Sequence, residues 1–331
     1  MVSVVIPTYN RAQYIAETIE SVLAQTWRQR EIIVIDDGST DNTGAVVSQF
    51  GNDVRYVRQP NSERSVARNH GLKLARGEFV AFLDSDDCWH PEALAAMVEA
   101  LRRDPALALV AVGCDVVTDS GEVVQRFLPG GGAAGILNEA FPQLLHSNVI
   151  GSPSAVLLRR RALDAVGHFE EDPRVIGVED WELWSRLAFH SPLYCLPRQL
   201  VRYRRHGTNS PLAGMRLRYG WMVDALLRKL PLSAAEQEQL RRTSATRLLD
   251  YAGDFFEMRQ HEGVRHCLKE ARRIHPGVGN ETAFSRLSEG VNPTDGVVPS
   301  GFTTTLTTRE SLEADAEFQR VYRRIAAYGS E

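Results

Sequence analysis

Over the first hundred residues, short apolar runs alternate with helical patterns, and this alternation leaves few folds open. Residues 32–35 and 79–83 are apolar throughout, residues 2–6 are apolar but for Ser3, and residues 54–57 make a further run. Strands without polar alternation belong to sheets covered on both faces. Between them, Ile15, Ile19, Val22 and Leu23 fall at helical spacing, with Asn10 and Gln13 placed as a capping box. Ser39, Thr40 and Asp41 can cap a helix carrying Val46, Val47 and Phe50. Helices over 66–74 and 91–103 and a strand over 107–112 complete the pattern. The expectation is an α/β fold, Rossmann-like, with a mostly parallel central sheet and helices on both faces.

In such sheets ligands bind outside the carboxyl ends of the strands. Polar residues gather there: Pro7-Thr8-Tyr9-Asn10 after the first strand, Asp36-Asp37 after the second, and Asp84-Ser85-Asp86-Asp87 after the fourth. Three acids in four residues are electrostatically costly, since two unit charges about 4 Å apart repel by roughly 4 kcal/mol at an effective dielectric near 20. A divalent cation would relieve that repulsion, and Mg²⁺ typically takes one or two carboxylates plus substrate phosphates. The same turn can also be read as a solvated cap for the next helix. Asp36 is suited to accept hydrogen bonds from a nucleobase, with Tyr9 against its face.

Two later clusters add chemistry. Glu179-Asp180-Trp181 opens a helical pattern, where acids are favoured by the helix dipole whatever their task. A carboxylate there could also serve as a general base, and Trp181 and Trp184 either pack the core or face a sugar. Arg204, Arg205 and His206 precede a polar loop, a composition suited to diphosphate and metal.

The motifs V-V-I-P-T-Y-N-R, I-V-I-D-D-G-S-T-D-N-T, A-R-N-H-G, F-L-D-S-D-D and V-E-D-W-E-L-W, in this order, resemble family 2 glycosyltransferases of the GT-A fold across residues 2–210. The resemblance implies a nucleotide-diphospho-sugar donor, a UDP-sugar by preference, with Mn²⁺ or Mg²⁺ and inverting transfer to a glycan or lipid-linked acceptor. Under it, Pro7, Thr8, Tyr9, Asp36, Arg68, Asp84 and Ser85 border the nucleotide. Asp86 and His206 hold the metal, and Asp180 is the catalytic base. Asp37, Asp87, Glu179, Trp181, Arg204 and Arg205 are left for diphosphate or acceptor.

Competing readings are weaker. Residues 130–135 match G-x-G-x-x-G, but they lie far from the first βα turn and have no acid about 20 residues on. A strand ending in D-x-D also opens haloacid-dehalogenase-like phosphohydrolases, with Asp84 as nucleophile, yet that reading leaves Asp36 unexplained. A degenerate domain that only binds nucleotide or glycan would not need Asp180. The net charge of −4 excludes a basic field for nucleic acid.

The four scattered cysteines argue against a disulfide framework, and no apolar segment is long enough to span a bilayer. The start of the chain lacks the features of a signal peptide. The expected setting is cytoplasmic, with peripheral contact at the inner face of the membrane left open. The domains expected are a catalytic unit over 1–210, a helical subdomain over 211–276, and a linker with a terminal amphipathic helix over 277–331. The C-terminal helices could equally dock on the sheet, form a homodimer or shape the acceptor site.

Overall fold

The computed structural model of the chain describes residues 1–206, 212–280 and 282–290. The chain forms two compact units that part between Asn209 and Ser210. The first is built on ten strands: β1 Val2–Thr8, β2 Arg30–Asp36, β3 Arg55–Arg58, β4 Phe79–Phe82, β5 Cys88–Trp89, β6 Leu109–Val117, β7 Val123–Phe127, β8 Gly135–Ile136, β9 Val156–Arg159 and β10 Leu193–Arg204. Its helices are α1 Ile15–Leu23, α2 Thr43–Ser48, α3 Arg64–Leu74, α4 Ala93–Arg103, α5 Ala140–His146, α6 Arg160–Val166 and α7 Glu179–His190.

The sheet runs β3-β2-β1-β4-β9-β6-β10-β5, with β7 on β6 and β8 on β10. Its first four strands are parallel, as the apolar runs imply, and β1 is buried along its whole length. The parallel register places Thr8 opposite Asp36 and Val5 opposite Phe82, so these strands end along one edge. The other half is mixed. β9 enters between β4 and β6 and runs antiparallel to both. Its Val156, Leu157 and Leu158 are fully buried, because a strand inserted there is covered on both faces. β10 pairs with β6 in parallel through register shifts between Leu196 and Val201, the stretch that holds Pro197.

One expected helix start differs from the structure. Helix α1 begins at Ile15, not at an Asn10/Gln13 capping box. Asn10 adopts a left-handed φ of 53°, and its side-chain oxygen accepts the Thr40 amide at 2.8 Å. Asn10 therefore ties the loop after β1 to the loop after β2. At α2, Asp41 is the residue of the Ser39-Thr40-Asp41 set that reaches the first turn, accepting from the Thr43 amide and hydroxyl.

The second unit holds α8 Leu212–Lys229, α9 Ala234–Glu257, α10 His261–Ile274 and α11 Thr282–Gly290. Helix α9 opens with a Ser233/Glu236 capping box, and its Leu248, Leu249, Ala252 and Phe255 are buried. Part of the expected linker over 277–308 is helix α11. Phe284 and Leu287, one turn apart, bury themselves there, and the Arg272 guanidinium lies 4.6 Å from the Phe284 ring. The expected terminal helix over 309–328 lies outside the described residues. No helix among the described residues is long and apolar enough to cross a membrane. All four cysteines are free and buried.

Candidate active site

The turn after β4 carries Asp84, Asp86 and Asp87, and the Asp87 amide closes it on the Asp84 carbonyl at 3.0 Å. Each acid meets a different partner. Asp84 accepts from the Arg68 guanidinium at 2.7 Å. Asp86 accepts through one oxygen from Arg11 Nε at 3.2 Å and faces His206 Nε2 at 2.9 Å. Asp87, fully buried, accepts from the Ser154 hydroxyl at 2.6 Å and the Arg204 amide at 2.9 Å. Burial first, then the charges of Asp86 and Asp84, push the Asp87 pKa well above the ordinary carboxylate range. Two guanidinium ions, on Asp84 and Asp86, thus offset part of the repulsion that sequence reasoning assigned to a cation. Ser85, between these acids, is buried.

Arg68 joins this turn to the start of α7. It is 2 % exposed and donates to Asp84 from one arm and to Glu179 from the other, at 2.9 Å. Burial alone would lower its pKa, but Asp84 and Glu179 outweigh that and raise it, so it stays a cation. Glu179 also accepts from the Gly177 amide, which fixes the turn into the helix. Asp180 follows, partly buried, accepting from the Trp181 amide at 2.7 Å. Burial, reinforced by Glu179 and opposed by Arg68, pushes the Asp180 carboxyl up to about 7. Trp181 and Trp184 are buried, and their ring N–H groups donate to Leu144 and Gly151 carbonyls.

On the β1/β2 side, Pro7 and Thr8 are buried and Tyr9 is 45 % exposed at the strand end. The Thr8 hydroxyl is buried without a hydrogen-bond partner. Asp36 accepts from the Ser39 amide at 2.7 Å and from the Tyr56 hydroxyl at 2.5 Å. Burial and the Asp36 charge push the Tyr56 phenol up to about 12, so it remains a donor. Asp37 takes the Gln59 side chain and the Ser62 and Glu63 amides, and so holds the loop before α3.

The end of β10 supplies the last group. Arg204, 6 % exposed, donates to the Asp86 carbonyl and to Glu17 and lies over the Tyr14 ring. Arg205 is exposed and reaches Gln125. The His206 ring stacks on Tyr14 at 5.2 Å between centroids. The structure therefore gathers Arg68, Asp84, Glu179 and Asp180 around one buried guanidinium. It gathers Asp86, His206, Arg204 and Arg11 around another point of the same turn.

A family model described as Glycosyl transferase family 2 matches residues 3–167. An uncharacterised glycosyltransferase of Nostoc sp. is 31 % identical over 223 residues, which are 64 % of this chain and 67 % of that protein. The chain belongs to the family 2 glycosyltransferases. Some longer relatives share the similarity, and the chain spans about a third (34 %) of the length of the Rickettsia conorii glycosyltransferase among them. Among solved structures, Staphylococcus aureus TarS 1-349 in complex with UDP-GlcNAc superposes with a TM-score of 0.64 at 17 % identity, covering 87 % of this chain and 90 % of that one. The mannosyltransferase PcManGT of Pyrobaculum calidifontis, in complex with GDP-Man and Mn²⁺, superposes with a TM-score of 0.51 at 18 % identity, covering 99 % and 86 %. These two likenesses are of fold.

The family match ends at residue 167, before Asp180 and His206, so those two positions rest on the geometry above. A divalent ion asks for hard oxygen donors and keeps places for phosphate. Asp86 offers one such oxygen, 2.9 Å from His206 Nε2, so this pair is where an ion would be held and most of its shell would have to come from elsewhere. No cluster of three or more His, Cys, Asp or Glu suited to a metal occurs among the described residues. Sequence reasoning missed Arg11, Tyr14, Glu17 and Ser154. Arg11 stands inside the P-T-Y-N-R motif and was the one of the four with a visible signal. The others act through partners between about 65 and 190 residues away.

Proposed function

We propose that this family 2 glycosyltransferase transfers a sugar, with inversion, from a nucleotide-diphospho-sugar to a hydroxyl of a glycan or lipid-linked acceptor. The observation that carries the reading is Arg68, which binds the D-x-D turn through Asp84 and the base candidate's helix through Glu179. Donor and base are thereby built against one fixed charge. Asp180, with its pKa near 7, removes the acceptor proton. The freed oxygen attacks the anomeric carbon from the face opposite the diphosphate, the anomeric C–O bond breaks, and the nucleoside diphosphate leaves. One displacement inverts the centre and needs no enzyme nucleophile. Asp84, which a phosphohydrolase would use as nucleophile, is here an ion-pair partner of Arg68.

A divalent ion held by Asp86 and His206 would supply charge neutralisation for the departing diphosphate. Pro7, Thr8, Tyr9 and Asp36 border the nucleoside, and an exposed aromatic beside a carboxylate favours a uracil face and edge. The UDP-GlcNAc complex of TarS supports that preference, whereas the GDP-Man complex of PcManGT keeps guanosine as the second choice. A thermal-shift screen of UDP-, GDP- and dTDP-sugars with and without Mn²⁺ tests the reading. The expected result is a Mn²⁺-dependent stabilisation by uridine compounds; no shift with any of them would refute it.

A further inference from the structure

The three guanidinium groups around the acidic turn are not held alike. Arg68 is sealed between two carboxylates, and Arg204 is buried on Glu17 and the Asp86 carbonyl. Arg11 makes the longer ion pair, 3.2 Å through Nε to Asp86 Oδ2, and its side chain is 25 % exposed. Its main chain, in contrast, is fixed. The Arg11 amide donates to the Thr43 hydroxyl, and its carbonyl accepts from the Tyr14 and Ile15 amides at the start of α1. A partly exposed guanidinium on an anchored backbone can change partner without disturbing the fold. The oxygen it occupies, Asp86 Oδ2, is shared with His206.

Resting on the donor and metal reading above, we propose that Arg11 is an exchangeable counter-ion: it neutralises Asp86 in the resting enzyme and passes to the donor's diphosphate when a divalent cation takes that carboxylate. A dication and a guanidinium repel one another on one oxygen, so the cation must displace Arg11. The negative charge that arrives with the donor is the diphosphate. A guanidinium fork suits two phosphate oxygens better than the Nε contact to Asp86 that it would leave, while its Nη1 already reaches the Asn10 carbonyl at 3.3 Å. Arg11 is then a donor-binding residue that also sets how weakly the empty enzyme holds metal.

The test titrates the wild-type chain, Arg11→Gln, Arg11→Lys and Asp86→Asn with Mn²⁺ alone, following free Mn²⁺ by electron paramagnetic resonance. UDP is then titrated at saturating Mn²⁺ by calorimetry. Removing a partly exposed competing ion pair should tighten Mn²⁺ binding of Arg11→Gln by about two- to fivefold. Losing a charge-assisted contact should weaken its UDP binding by about tenfold or more. Arg11→Lys keeps the charge, so its Mn²⁺ affinity should stay near wild type, with UDP affinity between the other two. Unchanged or weaker Mn²⁺ binding by a folded Arg11→Gln overturns the exchange, and unchanged UDP binding overturns the diphosphate contact. If Asp86→Asn binds Mn²⁺ as the wild type does, or the wild type binds none, the metal reading itself fails and the exchange falls with it.

Discussion

Asp180 stands where burial and Glu179 raise a carboxyl pKa and Arg68 restrains the rise, and the result near 7 suits a base at neutral pH. A base must be deprotonated to act, so kcat/KM should climb with pH and level off above about 7. An initial-rate profile from pH 5.5 to 8.5, read as UDP release, checks this. Asp180→Asn should lower kcat by roughly 10²- to 10⁴-fold while leaving UDP affinity within a few-fold. Transfer at the wild-type rate by this variant would remove Asp180 from the mechanism and would fit a different base. Glu179 has another task. With one oxygen on Arg68 and the other on the Gly177 amide, it shapes the turn that presents Asp180.

At the scale of elements, the close approach of α3 to β1 explains the glycine of A-R-N-H-G. A Cβ on Gly71 would lie 2.2 Å from Val5 Cγ1, against a strand that cannot yield because it is buried on both faces. Gly71→Ala should therefore cost about 1–3 kcal/mol by urea denaturation despite alanine's better helix propensity. Asp87 pins β10 to the turn after β4 through the Arg204 amide, and pins Ser154 beside it. Asp87→Ala strands a buried amide and a hydroxyl, about 2–3 kcal/mol or more. Asp87→Asn can still accept from the amide and donate to the hydroxyl, so its loss should be the smaller in the same titration. The parallel half of the sheet was legible because 2–6, 32–35 and 79–83 carry their burial in their composition. The central place of strand β9 was not legible, because four apolar residues do not reveal which neighbours they separate. Strand β10 hid behind Pro197 and a mixed burial pattern. Asp36, Asp84, Asp86 and Asp180 could be singled out from motifs, but the dual hold on Asp87 involves a backbone amide 117 residues away, and no side-chain pattern marks that.

For the molecule as a whole, the net charge of −4 conceals a costly local arrangement, because Asp87 and Asp180 sit where ionising them opposes folding. Asp180 gives that cost a sign. Its folded pKa, about 7, lies above the ordinary value of 3.8, so the native state binds the proton more tightly than the unfolded chain. Stability is therefore unaffected below pH 3.8, falls as pH rises between the two values, and is reduced by a constant amount above about 7. His190 titrates in the opposite sense, since burial lowers its pKa and costs stability as pH falls below 6.5. Comparing wild type with Asp180→Asn cancels that contribution and isolates the carboxyl. The two proteins should melt together near pH 4, and Asp180→Asn should melt higher by several degrees at pH 8, by calorimetry at fixed ionic strength. A variant that loses transfer yet gains stability only on the alkaline side would identify Asp180 as a group held for chemistry at the expense of the fold. An equal melting temperature at pH 8 would mean that the carboxyl is not held against ionisation, and the pH limb assigned to it would have to come from elsewhere.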